Sequence, residues 1–152
     1  MGLIMYYFAY GSNMSTRIMR DWAAGFEVIG AARLHDYRLA FTRPSERWGG
    51  AAADVVVATG QVVWGVLYDI DQNTLEQLNK KEGLGVAYRH LDCKVACVDD
   101  QAYAALTYSI ISKADSELFP SLAYKTVILE GAVEHHLPAD YIAWLEALVI
   151  NE

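Results

Sequence analysis

Two cysteines, three prolines and twelve basic residues are all this chain of 152 residues carries of those types, and each scarcity closes off a class of protein. Cys93 and Cys97 stand four apart in an apolar, β-branched stretch that reads as a strand, where four residues span about 13 Å. That is beyond disulfide reach, and the spacing matches no zinc signature. Two thiols in a reducing cytoplasm are therefore expected. Twelve Lys and Arg against nineteen Asp and Glu leave a net charge of −7, with pI near 5.0. Without a basic tract interleaved with aromatics, nucleic acid is excluded as a partner.

Long apolar runs are lacking too. Met1 to Ala9 is too short to span a bilayer, has no basic flank, and runs into Tyr10-Gly11-Ser12-Asn13 instead of a small-residue cleavage site. A first strand is expected there. Met1-Gly2 would begin a myristoylation motif, but Tyr6 stands where Ser or Thr is required, so no membrane anchor is expected. What the chain does have is 54% hydrophobic residues and only 20% charged ones, enough for a folded core. With no internal repeat or low-complexity linker, residues 1–152 read as one domain.

After the first strand, Ile18, Met19 and Trp22 recur at helical spacing, so Ser15 to Trp22 is expected to be a short helix capped by Ser15 or Asn13. Glu27 to Thr42 reads as two extended segments, and Arg43 to Gly50 as a loop. Ala51–Val57 and Gln61–Ile70 read as two further strands. Asp71 should cap a helix from Gln72 to Glu82, with Leu75 and Leu78 inward and Gly83 as its stop. Tyr88–Val98 and Ala102–Ile111 are the last strands. A helix is expected from Ser121 to about His135, and another from Ala139 to Val149 with Pro138 in its first turn. The sum is an α+β domain of about six mostly antiparallel strands, whose pattern leaves barrel and open sheet undecided.

Chemistry concentrates at two places. At Tyr10-Gly11-Ser12-Asn13 an apolar strand stops in a small polar turn before a helix, an arrangement in which backbone amides converge on an anion or oxyanion. Glu82 sits just before the Gly83 helix stop, where the helix end and burial both favour the protonated acid. Lys80 and Lys81 are expected to face solvent. Ser12 lacks the nucleophile elbow and any spaced histidine, so a covalent serine mechanism is not expected. Glu134-His135-His136 reads as a solvated helix end, not a metal site, since adjacent helical side chains diverge.

Five blocks in order resemble the γ-glutamylcyclotransferase family, which includes AIG2-like proteins, over nearly the whole chain. They are Phe8-Ala9-Tyr10-Gly11-Ser12-Asn13-Met14, then Val63-Trp64-Gly65-Val66-Leu67-Tyr68, then Leu75-x-x-Leu78 with Glu82-Gly83 and Tyr88-Arg89. Pro120-Ser121-x-x-Tyr124-Lys125 comes next, and Gly131-Ala132 through Leu137-Pro138-x-x-Tyr141 closes the series. The resemblance implies a small mixed, mostly antiparallel β-barrel with flanking helices and a metal-free, cofactor-free reaction that splits a γ-glutamyl amide into 5-oxoproline and an amine.

It further implies Glu82 as general acid and base, the Tyr10, Gly11, Ser12 and Asn13 loop as substrate and oxyanion cradle, and Tyr88 and Tyr124 as substrate-positioning residues. Contacts to the leaving group are expected from the Arg43–Gly50 loop. The glutathione-degrading branch usually carries Leu where this chain has Asn13, which leaves γ-glutamyl amino acids and γ-glutamylamines as the substrate classes. The alternative is a non-catalytic binding or regulatory module on the same fold. Oligomeric state stays open, with a homodimer as one option.

Overall fold

The computed structural model describes residues 4–151, so Gly2, where no lipid anchor is expected, and the start of the expected first strand at Met1 lie outside the described residues. Its elements in chain order are β1 (Met5–Ala9), a single 3-10 turn (Ser12–Met14), α1 (Thr16–Trp22), β2 (Phe26–Pro44), β3 (Ala51–Ile70), α2 (Gln72–Glu82), β4 (Tyr88–Cys97), β5 (Ala102–Ile110), α3 (Leu122–Glu134) and α4 (Ala139–Glu146).

Five strands close into a barrel in the order β1-β3-β2-β4-β5. Every ladder is antiparallel except the closing one, where β1 meets β5 in parallel at Tyr7 and Leu106. The two pairs of segments read separately from the sequence are single long strands here, β2 and β3, so the seven extended segments become the five strands of the barrel. Their apparent breaks are register shifts. Between the His35–Val62 and Tyr37–Val57 pairs the β2–β3 ladder leaves Asp36 of β2 opposite residues 58–61 of β3, with Asp36 at φ 68° and its Oδ1 accepting from the Gly60 amide at 2.9 Å. A residue in left-handed conformation bends a strand without ending it. Gly and Asp, which signal turns in the sequence, therefore mark bulges.

Helix boundaries are set by local chemistry. Asp71 Oδ1 accepts from the Thr74 amide at 2.8 Å at the start of α2, and Gly83, at φ 64°, ends it in a left-handed cap. Ser121 Oγ likewise accepts from Tyr124 N at 3.1 Å at the start of α3. Ser15, not Asn13, is the cap of α1. Pro138 precedes α4 as its cap, and α4 ends at Glu146, three residues short of the expected Val149.

The core joins the barrel to the helices. Phe8, Val63, Val66, Leu67 and Tyr68 are buried in it together with Met14, Leu78, Ile128 and Leu145. From Gly65 to Tyr68 both faces of β3 are covered, so its apolar run is continuous there and not alternating, whereas Val57 and Thr59 to Gln61 in its middle are exposed. A side chain at Gly131 would strike Met14 and Ser15 at 2.6 Å, so this glycine lets α3 lie directly on the turn after β1. Tyr68 Oη completes the clamp from the barrel side, donating to the Asn13 carbonyl at 2.7 Å. Held from two sides, the turn is a rigid piece of the barrel mouth.

Candidate active site

A cavity of about 640 Å³ opens at that mouth. Its wall includes all seven residues singled out from the sequence: Tyr10, Gly11, Ser12 and Asn13 from the turn, Glu82 from the end of α2, Tyr88 from the start of β4 and Tyr124 from the first turn of α3. The amides of Gly11, Ser12 and Asn13 find no protein acceptor among the described residues. They remain available to a ligand. Gly11 brings its backbone close to Tyr124, since a Cβ there would lie 3.0 Å from the Tyr124 hydroxyl.

The turn and Glu82 are in direct contact. Asn13 Nδ2 lies 3.4 Å from Glu82 Oε1 and donates to Tyr7 Oη at 2.9 Å, so one buried carboxamide links β1, the turn and α2. Desolvation lifts the Glu82 carboxyl above its ordinary value, while Lys81, Arg47 and the Asn13 hydrogen bond pull it back. A carboxyl raised in this way is better placed to both accept and return a proton than an ordinary surface carboxylate.

Tyr10, Tyr88 and Tyr124 frame this pair without hydrogen-bonding to it. Tyr88 Oη donates to the Ala53 carbonyl at 2.9 Å, and Tyr124 Oη accepts from the Ala53 amide at 3.2 Å. Neither phenol hydrogen-bonds Glu82. Tyr10 Oη donates to the Tyr108 carbonyl at 2.6 Å. Burial first, with the Glu82 charge a lesser cause, pushes all three phenols upward, so they stay neutral. Trp48 stacks on Tyr124 with ring centroids 5.6 Å apart, fixing the far wall.

Several expectations need correction. Lys80 does face solvent, but Lys81 turns inward and donates to Asn13 Oδ1. Burial pushes its ammonium down to about 8, with the neighbouring Glu82 opposing. The last turn of α2 lies against α1, and Trp22 supplies an aromatic face 5.4 Å from Lys81 Nζ. His135 is no solvated helix end either: it is half-buried, with Nε2 3.1 Å from Thr16 Oγ1 and its ring edge-on to Tyr68. Its neighbour Glu134 accepts from the Thr16 amide at 3.0 Å, so the end of α3 serves α1.

Residues not singled out from the sequence also shape the cavity. Tyr7 reads in the sequence only as part of an apolar strand, although a tyrosine shortly before the Gly-Ser-Asn turn is a signal of a polar group aimed at that turn. The Arg43–Gly50 segment, expected from the sequence to meet the leaving group, lines the cavity with six consecutive residues, Arg43 to Trp48, from the end of β2 and the β2–β3 connection. Arg47 lies over the Trp22 ring at 4.8 Å. Asp54, fully buried, accepts from Thr42, Ser109, Lys113 and the amides of Val55 and Ile110, and thereby anchors the strand that carries Ala53.

Comparison with known proteins bears on the same fold. A model of the AIG2-like family matches residues 62–145. A γ-glutamylcyclotransferase of Mus musculus is 36% identical over 154 residues, covering 96% of this chain and 79% of the mouse protein. The Homo sapiens γ-glutamylcyclotransferase is 33% identical, with the same 96% and 79% coverage. A solved γ-glutamyl cyclotransferase structure superposes with a TM-score of 0.93 at 29% identity, over 99% of this chain and 90% of that one.

Proposed function

From the premise that the chain belongs to the AIG2-like family of γ-glutamylcyclotransferases, we propose that its barrel-mouth cavity folds a γ-glutamyl amide and cyclises it, with Glu82 carrying the proton. The chain is an enzyme of γ-glutamyl cyclisation, forming 5-oxoproline.

The substrate contains both reactants. Holding the glutamyl group folded brings its α-amine onto its γ-carbonyl carbon, and such intramolecular proximity is worth about 7–11 kcal/mol in favourable cases. A C–N bond forms between the α-nitrogen and the γ-carbon, and the original amide C–N bond breaks. The α-ammonium must lose one proton for attack and a second as it becomes the lactam nitrogen, while the leaving nitrogen gains one to depart and a second to be released as an ammonium. A single carboxylate can relay these protons in turn, accepting and returning each, so no water or external acid is consumed. Glu82 suits this because burial lifts its carboxyl while Lys81, Arg47 and Asn13 keep the ionised form within reach.

Negative charge grows on the γ-oxygen as the tetrahedral intermediate forms. The unpaired amides of Gly11, Ser12 and Asn13 are the donors best situated for it or for the glutamyl carboxylate. Tyr10, Tyr88 and Tyr124 would shape the walls, the last two through Ala53. Arg43 to Trp48 would meet the leaving group. The observation that carries the reading is the Asn13 carboxamide, which joins the turn to Glu82 inside one cavity.

The same reading takes residues 1–152 as one domain working in a reducing cytoplasm, where the free thiols Cys93 and Cys97 stay unbridged. No helix among the described residues is long and apolar enough to cross a membrane. A homodimer remains the assembly to test by light scattering. The test of function is release of 5-oxoproline from γ-glutamyl amino acids and γ-glutamylamines by the wild type and by Glu82→Gln. Loss of turnover with substrate still bound supports the reading, and unaltered turnover removes Glu82 from the chemistry.

A further inference from the structure

We propose that Lys81 is a positioning residue: it fixes the Asn13 carboxamide with its oxygen toward the Lys81 ammonium and its nitrogen toward Glu82 and Tyr7. The two ends of a carboxamide are nearly equal in shape, and only hydrogen-bond partners decide which way it points. Lys81 has donors alone, so the end it meets must be Oδ1. Nδ2 is then committed to Tyr7 Oη at 2.9 Å and Glu82 Oε1 at 3.4 Å.

Without Lys81 the choice would pass to Glu82 itself. An ionised Glu82 accepts from Nδ2, but a protonated Glu82 can donate to Oδ1, and the Tyr7 hydroxyl can play either part. The carboxamide would then turn over as the carboxyl changes state. With Lys81 in place it cannot, and a donor faces Glu82 in both states. A fixed donor favours the carboxylate, so Lys81 opposes the effect of burial on Glu82 by way of Asn13 as well as by its own charge.

The groups around this triad are few. Glu82 is faced by Lys81 on its own helix, Arg47 from the β2–β3 connection, Asn13 from the turn, and the phenols of Tyr7, Tyr10, Tyr88, Tyr108 and Tyr124. Lys81 is faced by Glu82, Arg47 and Asp21 of α1. The Lys81 ammonium also lies over the Trp22 ring, 5.4 Å from its centroid. Arg47 carries charge near Glu82 but is not bonded to Asn13 among the described residues, so it provides an internal comparison.

The proposal uses the reading of Glu82 as proton carrier only in its kinetic readout. Its main test is the titration of the Glu82 carboxyl carbon, monitored by carbon-13 NMR in the intact protein. In Lys81→Met the midpoint should rise by about one pH unit, a tenfold change in the acid to base ratio. In an Asn13→Ala background the same substitution should move it by about half as much or less, because only the direct charge effect remains. Arg47→Met should shift it equally with or without Asn13. Lys81→Arg, which keeps a donor, should restore most of the wild-type midpoint, and Lys81→Gln replaces Lys81→Met if the latter fails to fold. In turnover, Lys81→Met should lower kcat about tenfold with KM little changed, and its acidic pH limb should move upward with the NMR midpoint. Equal midpoint shifts in the Asn13 and Asn13→Ala backgrounds, or none in either, overturn the proposal. Absence of 5-oxoproline release by the wild type would instead overturn the functional reading, with the titration still deciding this one.

Discussion

Gly11→Ala separates the demands of the cradle from those of the barrel. The added Cβ would sit 3.0 Å from Tyr124 Oη and 3.5 Å from the Ala53 Cβ. Gly11, at φ −119°, does not lie in the left-handed region, and the cost considered is the space that the Cβ needs. Tyr124 has to give way by a few tenths of an ångström. Its ring is held against Trp48 at 5.6 Å and edge-on to Phe41 at 6.2 Å, and its hydroxyl accepts from Ala53 N at 3.2 Å. That last bond is the one to yield, at about 1 kcal/mol. In a chain of this length the melting temperature should fall by about 2–4 °C.

Turnover should suffer far more, by about 10²-fold, because the displaced wall and turn are the surfaces expected to hold the reacting group. Gly65→Ala is the contrast. Its Cβ would fall well inside contact distance of the Ala9 carbonyl oxygen, where β1 and β3 are hydrogen-bonded and neither backbone can retreat. That variant should lose several times more stability. Thermal unfolding by circular dichroism, paired with 5-oxoproline release, measures both effects. Removing the clashing hydroxyl with Tyr124→Phe should reduce the cost of Gly11→Ala by half or more. A Gly11→Ala protein that keeps full turnover would refute the cradle, and one as unstable as Gly65→Ala would refute the steric reasoning.

Two further substitutions test the supporting structure. Asp54→Ala removes a buried carboxylate and strips Thr42, Ser109, Lys113 and two amides of their acceptor, so urea unfolding should show a loss of about 3 kcal/mol. A loss below about 1 kcal/mol would mean that these donors find other partners. Tyr141 Oη is buried near the Trp64 backbone but short of hydrogen-bond geometry, and has no other partner among the described residues. Tyr141→Phe should therefore gain about 1 kcal/mol by the same assay, and a destabilised variant would show that the hydroxyl is bonded in solution.

Sequence conveyed most where a feature is local. The bounds of α2 come from the Asp71 cap, the Leu78 face and the Gly83 stop, all close together in the chain, and the structure repeats them. Gly11, Asn13 and Glu82 were legible because ordered motifs resemble a family, not because anything in the chain says that residues sixty-nine apart should touch. Strand continuity through Asp36 and Gly60 was hidden because a bulge and a turn use the same residue types. The inward turn of Lys81 was hidden as well, since a lysine in the last turn of a helix ordinarily serves the helix end in solvent. Only the packing of α1 against α2, with Trp22 over the ammonium, gives it another place. The same holds for His135, which faces Thr16 at the start of α1.

Proton transfer by Glu82 is tested most directly by a paired count of products. Wild type and Glu82→Gln, both shown to be folded, are given a γ-glutamyl amide at saturation, and 5-oxoproline and free amine are measured together. Cyclisation driven by Glu82 predicts one 5-oxoproline for each amine released by the wild type, and a fall of about 10²–10⁴-fold in both for Glu82→Gln. Glutamate in place of 5-oxoproline, or turnover unchanged by the substitution, would contradict it.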